Sequence, residues 1–360
     1  MKSDSLVEQI KIRKLEEKDF ELFGNEKGLW HIAEITRAHL EWLTRYRPSK
    51  NSLLVACVED QPIGFYLNVA VQLKVADEIV DAYRGEVFVY PEHRRKKYNI
   101  FNLLVRTNHE EARRKNAVLY GFPFDRLLPY YQNRIGMRFI RIIPRYLRIL
   151  NPSYILERFV RNQRVAQRLG LILGFFMNLF DSHLAPKSPA GIIVNRIHSF
   201  DERFDRLWLK ASALHKIAVV RNQEYLNWAH FNPSALNSVI FAAEKNGEVL
   251  GYIVLQCDHP RKVGRITDLF DIQHKTVTKM LILKAVEYFK SEKIYKIECY
   301  LSGNYYESVL KSVGFLKIKG ENDRRFPTNF IAISYSSKMN SDFFYDSENW
   351  FLTYENTRFA

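Results

Sequence analysis

The stretch Glu86-Val-Phe-Val-Tyr-Pro-Glu-His-Arg-Arg-Lys-Lys-Tyr-Asn-Ile100 decides how this sequence is interpreted. It begins as a short apolar strand, passes Pro91 into a dense basic turn, and leads into an amphipathic helix. A turn between a strand and a helix N-terminus presents backbone N–H groups, which together make an anion site. Four consecutive cations from Arg94 to Lys97 favour a ligand that carries several phosphates.

The composition indicates a folded chain with a strong basic excess. The chain has 360 residues, of which 47% are apolar, and this length is comfortable for two domains. Lys and Arg number 54 against 40 Asp and Glu, which gives a net charge of +14. The excess predicts an anionic partner: a phosphorylated cofactor, a nucleic acid or an anionic membrane.

Several classes of protein are disfavoured. Cys57, Cys257 and Cys299 are widely spaced within apolar, strand-like runs, and we interpret them as reduced core residues. No Cys/His cluster has metal-ligand spacing, so no metal is expected. The N-terminal residues lack the apolar core of a secretory signal, and no apolar run reaches the ~20 residues that span a bilayer. A cytoplasmic location is therefore expected.

The sequence carries one plan twice. Trp42-Leu-Thr-Arg-Tyr-Arg-Pro48 precedes a hairpin at 53–67, and Trp228-Ala-His-Phe-Asn-Pro233 precedes a hairpin at 239–255. Each hairpin is followed by a strand, an amphipathic helix, a further strand and a tyrosine pair. The order β-β-β-α-β-α-β is thus predicted twice. The alternative is two unrelated α/β domains with coincidental turns.

This order, together with the stretch 86–100, resembles the GNAT acyltransferases. Their pyrophosphate loop follows the pattern Val-x-Pro-x-x-Arg-x-x-Gly-x-Gly/Ala. Val89, Pro91 and Arg94 match it, whereas Lys97 and Asn99 stand at the two glycine positions. The whole chain is similar to tandem-GNAT proteins related in plan to the Fem-type transferases, which are often associated with bacterial surface polysaccharide synthesis.

The resemblance implies an α/β (α+β) fold of two tandem GNAT-like domains, each a mixed, mostly antiparallel sheet flanked by helices. Residues 1–148 would form the N-terminal domain and bind acyl-CoA. Residues 149–191 would form a helical connector and linker. Residues 192–360 would form a C-terminal domain that binds the acceptor or is structural, since no basic turn follows its third strand.

The resemblance also implies a cofactor site. In the family, the acyl carbonyl bonds to a backbone N–H on the strand before the loop, and the CoA arm lies in a gap between neighbouring strands. On this sequence the strand residues would be Val87, Phe88 and Val89. The turn residues would be Arg94, Arg95, Lys96, Lys97, Tyr98 and Asn99.

Catalytic roles follow from the chemistry of acyl transfer to an amine. An ammonium group is not nucleophilic, so a base must remove a proton, and the resemblance assigns this role to Glu86. A tyrosine often protonates the leaving thiolate, and the candidates are Tyr131 and Tyr130, with Tyr131 slightly ahead. The alternatives are an exposed, ion-paired Glu86 and an aromatic pair that only packs a helix on the sheet.

Two further carboxylates are candidate acceptor contacts. Related sequences carry Gly-Phe-Pro-Asn where this chain carries Gly121-Phe-Pro-Phe124, and Phe124 stands here in place of the asparagine. Asp125, the next residue, could substitute for that asparagine. Asp268 occupies the position in the second copy that Glu86 occupies in the first.

The predicted function is that of an N-acyltransferase that uses acetyl-CoA or another acyl-CoA. The acceptor would be an amine on a sugar, a glycan precursor or a small molecule. The rival is a non-catalytic GNAT-like scaffold with a degenerate CoA loop. Nucleic-acid binding is disfavoured, because no RNP, KH or recognition-helix motif is present.

The region between the copies has its own character. Residues 152–181 are predicted helical, with arginines at 158, 161, 164 and 168 and an apolar run at 169–180. Such a helix can pack between domains, or it can lie in a membrane interface. The segment Arg158–Phe180 is therefore a candidate peripheral contact with the inner membrane face, and Ala185–Gly191 is a predicted linker.

Overall fold

The computed structural model describes residues 10–19, 41–43, 45–46, 51–89, 99–157, 159–184, 191–231, 238–318, 328–337 and 339–357. The predicted linker residues 185–190 and the basic residues 90–98 lie outside this part of the chain.

The first half contains seven strands and one long helix among its described residues. In chain order they are β1 (Lys11–Lys14), β2 (Ser52–Val58), β3 (Gln61–Val75), β4 (Glu78–Val89), helix α1 (Ile100–Arg114), β5 (Val118–Gly121), β6 (Arg138–Ile142) and β7 (Arg145–Ile149). Between β5 and β6 the chain makes three short helical turns, Asp125–Leu127, Leu128–Tyr130 and Tyr131–Ile135, the last of which is a π-helix. The predicted helix near 100–116 is confirmed.

Two helices follow, as predicted for the connector: α2 (Pro152–Leu156) and α3 (Gln163–Leu184). Asn151 caps α2, because its side-chain oxygen accepts from the Ser153 N–H at 3.1 Å.

The second half contains nine strands and five helices among its described residues. Its elements are β8 (Ile192–Ile197), α4 (Glu202–Ala211), β9 (Ile217–Val219), α5 (Gln223–His230), β10 (Val239–Lys245), β11 (Glu248–Asp258), β12 (Val263–Asp271), α6 (Lys275–Ser291), β13 (Lys296–Tyr300), α7 (Asn304–Ser312), β14 (Leu316–Ile318), β15 (Asn329–Ser334), α8 (Ser341–Tyr345) and β16 (Trp350–Phe351).

The strands form two mixed sheets. The first has the order β1-β2-β3-β4-β5-β15-β6, with β9 also pairing with β3 and β16 pairing with β9. The second has the order β14-β7-β13-β12-β11-β10-β8. The first sheet has two parallel pairs, β4–β5 and β9–β16, and the second sheet has one, β12–β13. The remaining pairs of described strands are antiparallel. The predicted α+β fold of two mixed, helix-flanked sheets is confirmed.

Each sheet contains strands from both halves of the chain: β9, β15 and β16 of the second half belong to the first sheet, and β7 of the first half belongs to the second sheet. β7, from the first half, lies between β13 and β14 of the second sheet. β15, from the second half, lies between β5 and β6 of the first sheet. Each sheet is therefore complete only when both halves of the chain are present. The domain boundaries at 148 and 191 remain a prediction. Both sheets contain strands from either side of these boundaries.

The two repeated tryptophan segments contact each other in the shared core. The Trp42 and Trp228 rings stack with their centroids 4.7 Å apart. The Trp42 indole N–H donates to the Trp228 carbonyl at 2.7 Å, and the Trp228 indole N–H donates to the Trp42 carbonyl at 3.1 Å. Buried indole groups need such partners, and each tryptophan here supplies the other's.

Candidate functional site

A gap opens in the first sheet between β4 and β5. Their parallel pairing runs from Ala82–Val118 to Arg84–Tyr120 and stops there. β5 ends one residue later, at Gly121, while β4 continues to Val89. Among the described residues no other strand pairs with this last part of β4 on the β5 side. The gap lies where the sequence predicts an extended ligand beside residues 87–89.

The polar groups of the Val87 backbone face this gap. Gln72 and Ala76 of the preceding hairpin form hydrogen bonds on the side away from β4, to Val220 and Lys216. Along a strand, the backbone N–H and C=O groups of successive residues point to alternate sides. Because the even-numbered residues of β3 point away from β4, the odd-numbered ones point toward β4, and Leu67 lies opposite Glu86 there. Glu86 and Phe88 thus direct their backbone groups to β3, and Val87 directs its own to the gap. Of the three predicted strand residues, Phe88 instead contributes its ring, which packs 5.4 Å from that of Phe65.

Asn99, at the N-terminus of α1, has left-handed backbone angles, φ 44° and ψ 39°. Glycine adopts this conformation at no steric cost, and asparagine tolerates it better than most other residues. The conformation that a glycine would permit is therefore present at one of the two predicted glycine positions. The other, Lys97, lies outside the described residues, as do Arg94, Arg95, Lys96 and Tyr98.

Glu86 is a half-buried residue next to the gap. It pairs with Leu67, which belongs to the large core shared by both halves, so its side chain lies on that face of the sheet. Burial raises the pKa of Glu86 to about 8, and the attraction of Arg84 opposes this rise only in part. Arg84 is itself occupied, because its guanidinium donates to the Glu355 carbonyl at 2.9 Å. A carboxyl group with this pKa can accept a proton near neutral pH.

The two candidate tyrosines lie on the other face of β4. Val87, Tyr130 and Tyr131 pack against one small cluster that includes Tyr66 and Ile100. The Tyr130 hydroxyl donates to Asn102 Oδ1 at 2.5 Å, so its proton is already engaged. Burial, together with the nearby charge of Glu86, raises the pKa of Tyr131 well above its usual value. Tyr131 begins the π-helical turn, a type of irregularity that is frequent at functional sites.

Asp125 is exposed and accepts a hydrogen bond from β15, a strand of the second half. The side-chain amide of Asn329, the first residue of β15, donates to Asp125 Oδ1 at 2.7 Å and to the Pro123 carbonyl at 3.1 Å. Asn329 was missed by the sequence interpretation, because it lies about two hundred positions away and no local pattern assigns it to this edge.

Asp268 is the counterpart of Glu86 in the second sheet, and its environment is different. Glu86 and Asp268 each lie opposite the third residue after a glycine, Gly64 and Gly251 respectively. Asp268 accepts from both Arg221 Nε and Arg221 Nη2 at 3.2 Å and from the Tyr252 hydroxyl at 2.7 Å. Arg221 lowers the pKa of this fully buried carboxyl, so it stays ionised. Its predicted contact with an acceptor stays a prediction, and this ion pair does not support it.

The second sheet has a gap of its own, and the C-terminal tail fills it. β12 and β13 pair only as far as Ile266–Cys299, next to a bulge that leaves Thr267 without an opposite residue. Thr353 then pairs antiparallel with Leu301, and the Ser302 N–H donates to the Leu352 carbonyl at 2.8 Å. The tail thus occupies the edge of β13 that β12 has left. Phe351 and Thr353 also contact Arg221, which ties this tail to Asp268.

The described part of the chain contains no group of three His, Cys, Asp or Glu side chains arranged to hold a metal ion. In the same part of the chain, no helix combines the length and the apolar content needed to cross a bilayer.

Similar structures share this fold. A conserved protein of unknown function from Enterococcus faecalis matches with a TM-score of 0.61 at 11% identity, over 91% of this chain and 73% of that protein. GCN5-related N-acetyltransferases from Anabaena variabilis and Kribbella flavida match with TM-scores of 0.59 and 0.56 at 10% and 13% identity. Both matches cover 91% of this chain, and they cover 73% and 71% of the respective proteins. No protein-family model and no curated protein sequence matches the chain. The chain therefore has the GCN5-related N-acetyltransferase (GNAT) fold, at sequence identities too low to assign an activity.

Proposed function

We propose that this protein is an N-acyltransferase that binds acetyl-CoA, or another acyl-CoA, in the gap between β4 and β5. The observation that carries the proposal is the end of the β4–β5 pairing at Arg84–Tyr120, which leaves the Val87 backbone directed into the gap. The shared GNAT fold and the left-handed Asn99 at the start of α1 support it.

The residues around the gap fit such a ligand. When bound, the thioester supplies an acyl carbonyl, whose C–S bond breaks as the bond to the acceptor nitrogen forms. The Val87 N–H can donate to the carbonyl oxygen, where negative charge develops. The basic turn from Arg94 to Asn99 and the N-terminus of α1 would hold the phosphates.

Glu86 and Tyr131 would handle the protons. Glu86 accepts the proton that the acceptor amine must lose, and its pKa of about 8 suits a base that works near neutral pH. Tyr131 remains protonated, because burial raises its pKa, and it donates to the leaving thiolate. The two groups lie on opposite faces of β4, so base and acid can act on opposite sides of the reacting carbonyl.

The acceptor would be an amine on a sugar, on a nucleotide-linked or lipid-linked glycan precursor, or on a small molecule. The net charge of +14 supports a phosphorylated acceptor. Asp125, fixed by Asn329 at the exposed edge of the first sheet, would contact it. A tandem origin, with the second half binding the acceptor or supporting the first half, is proposed from the duplicated sequence plan and from the sequence resemblance to Fem-type transferases.

Acetyl-CoA binding tests this proposal directly. Saturation at about 100 times Kd should raise the free energy of unfolding by about 2.7 kcal/mol, measurable as a thermal shift. The double variant Arg94→Ala/Lys97→Ala should bind acetyl-CoA more weakly, because it removes phosphate-binding charges. The control is Arg106→Ala/Arg114→Ala, which removes two charges from exposed positions on α1 and should leave affinity unchanged.

An absence of any shift at millimolar acetyl-CoA would contradict the proposal and favour the alternative, a GNAT-like scaffold with a degenerate CoA loop. Equal affinity in both double variants would move the phosphate site away from the basic turn.

A further inference from the structure

Helix α3 packs on the protein through its smallest residues. Ala166 and Gly170 are its buried positions. A Cβ atom added at Gly170 would overlap Ser153 Oγ, and one added at Gly174 would lie 3.9 Å from Pro152. The side of α3 that faces α2 is therefore a seam of small residues in close backbone contact, and it buries few large side chains.

The opposite side of α3 is apolar and exposed. Leu171 is 72% exposed, Ile172 55%, Phe175 66% and Phe176 59%. Val165, Leu169, Leu173, Leu179 and Phe180 are also exposed large apolar residues of the same helix. An ordinary surface helix has the reverse arrangement, with its apolar stripe facing the core. Of the two alternatives for this segment, packing between domains does not account for its outer face.

Ion pairs hold α3 in this orientation. Asp181, near its C-terminal end, accepts from the buried Arg148 and from Lys290 Nζ, the latter at 2.6 Å. The Lys290 ammonium also donates to Asn178 Oδ1 at 2.8 Å. Asp181 and its two partners are buried or partly buried. The helix therefore cannot rotate its apolar face inward without breaking these ion pairs.

Exposed arginines stand at the N-terminal end of the apolar face. Arg164 and Arg168 are exposed and stand eleven and seven positions before Phe175, which places all three on one side of the helix. Arg161 lies just before the helix and is also exposed. Long basic side chains beside an apolar stripe are typical of helices that lie in the headgroup region of anionic membranes.

We propose that α3 lies flat in the surface of an anionic membrane, with its apolar face among the acyl chains and its arginines on lipid phosphates. The helix has 22 residues and is therefore about 33 Å long. A second copy of the chain is a poorer occupant, because pairing two such helices brings together arginines of two molecules that each carry a net charge of +14. The proposal is independent of acyl transfer and adds a binding surface to the protein.

Flotation with lipid vesicles tests the proposal. The full chain should float with vesicles of phosphatidylcholine and phosphatidylglycerol, float less with phosphatidylcholine alone, and be released as salt rises. The Leu171→Asp variant should lower the bound fraction by about tenfold or more, since it places a charge in the apolar face. The matched control is Leu209→Asp on α4, because Leu209 is 73% exposed and lies on another helix.

A site-specific readout separates insertion from general charge attraction. Leu171→Trp should show a blue-shifted emission increment on anionic vesicles, and Leu209→Trp should not. Wild-type protein that does not float with anionic vesicles would overturn the proposal, as would equal losses in the two Asp variants. Light scattering that shows a dimer in wild type and a monomer in Leu171→Asp would assign the face to a second copy instead.

Discussion

Glu86 and Asp268 occupy matching positions in the two sheets, but their pKa values are shifted in opposite directions. Glu86 lies beside an open strand edge, and burial raises its pKa to about 8. Asp268 lies against Arg221, and that guanidinium lowers its pKa. One carboxyl group can therefore exchange a proton near neutral pH, whereas the other stays ionised there in an ion pair with Arg221. Under the proposed function, the same strand position serves chemistry in the first half and stability in the second.

The two gaps differ in the same sense. Beyond Arg84 no described strand pairs with β4 on the β5 side, so a ligand can extend the sheet there. Beyond Ile266 the protein's own tail extends the second sheet through Leu352 and Thr353. Under the proposed function, the first half holds the ligand site, whereas the corresponding gap in the second sheet is closed by the protein's own chain.

The largest expected effect is on catalysis. Glu86→Gln should lower kcat/KM for acyl transfer by roughly 10²–10⁴-fold, because it removes the proposed general base without changing the size of the side chain. Acetyl-CoA affinity should be retained. Glu78→Gln, at the exposed start of the same strand, is the control and should leave the rate unchanged. A Glu86→Gln enzyme with full activity would move the base elsewhere.

The counterpart substitution should act on stability. Asp268→Ala leaves Arg221 buried without its carboxylate and should lower the free energy of unfolding by about 3–5 kcal/mol. Denaturant unfolding measures this loss. The double variant Arg221→Met/Asp268→Leu should recover much of it, since no unpaired charge remains. If Asp268→Ala costs no more than an exposed substitution, the proposed division between the two carboxyl groups is wrong.

The pH dependence should separate the halves with a smaller, graded effect. Acyl transfer should rise about tenfold per pH unit up to a pKa of about 8, because Glu86 must be deprotonated to act. Its raised pKa also contributes stability that is present below the unfolded pKa of about 4.5 and is lost as pH rises through about 8. Asp268, with its lowered pKa, contributes stability above about 3.8 that is lost as pH falls further.

These two trends can be measured on one protein. In wild type, the melting temperature should fall between pH 5 and about 8, and the Glu86→Gln variant should lack this fall. The variant should keep the fall in melting temperature at acid pH that Asp268 causes. A wild-type rate that is flat between pH 6 and about 8 would contradict the assignment of Glu86 as base.

The sequence by itself determined the local elements and the candidate residues. Alternation predicted the hairpins at 53–67 and 239–255, amphipathic spacing predicted α1 and α6, and the resemblance to the GNAT family assigned Glu86 as the candidate base. These features depend on neighbours along the chain, so a local pattern is enough to find them.

Only the tertiary structure decided the pairing of distant segments. β7 and β15 are short strands that either sheet could accept by pattern alone, and their placement depends on contacts between residues far apart in the chain. The same is true of the Arg221–Asp268 pair, of the tail beside β13, and of the outward direction of the apolar side of α3. Hydrophobic periodicity shows that a face is apolar, whereas long-range packing decides whether that face is buried.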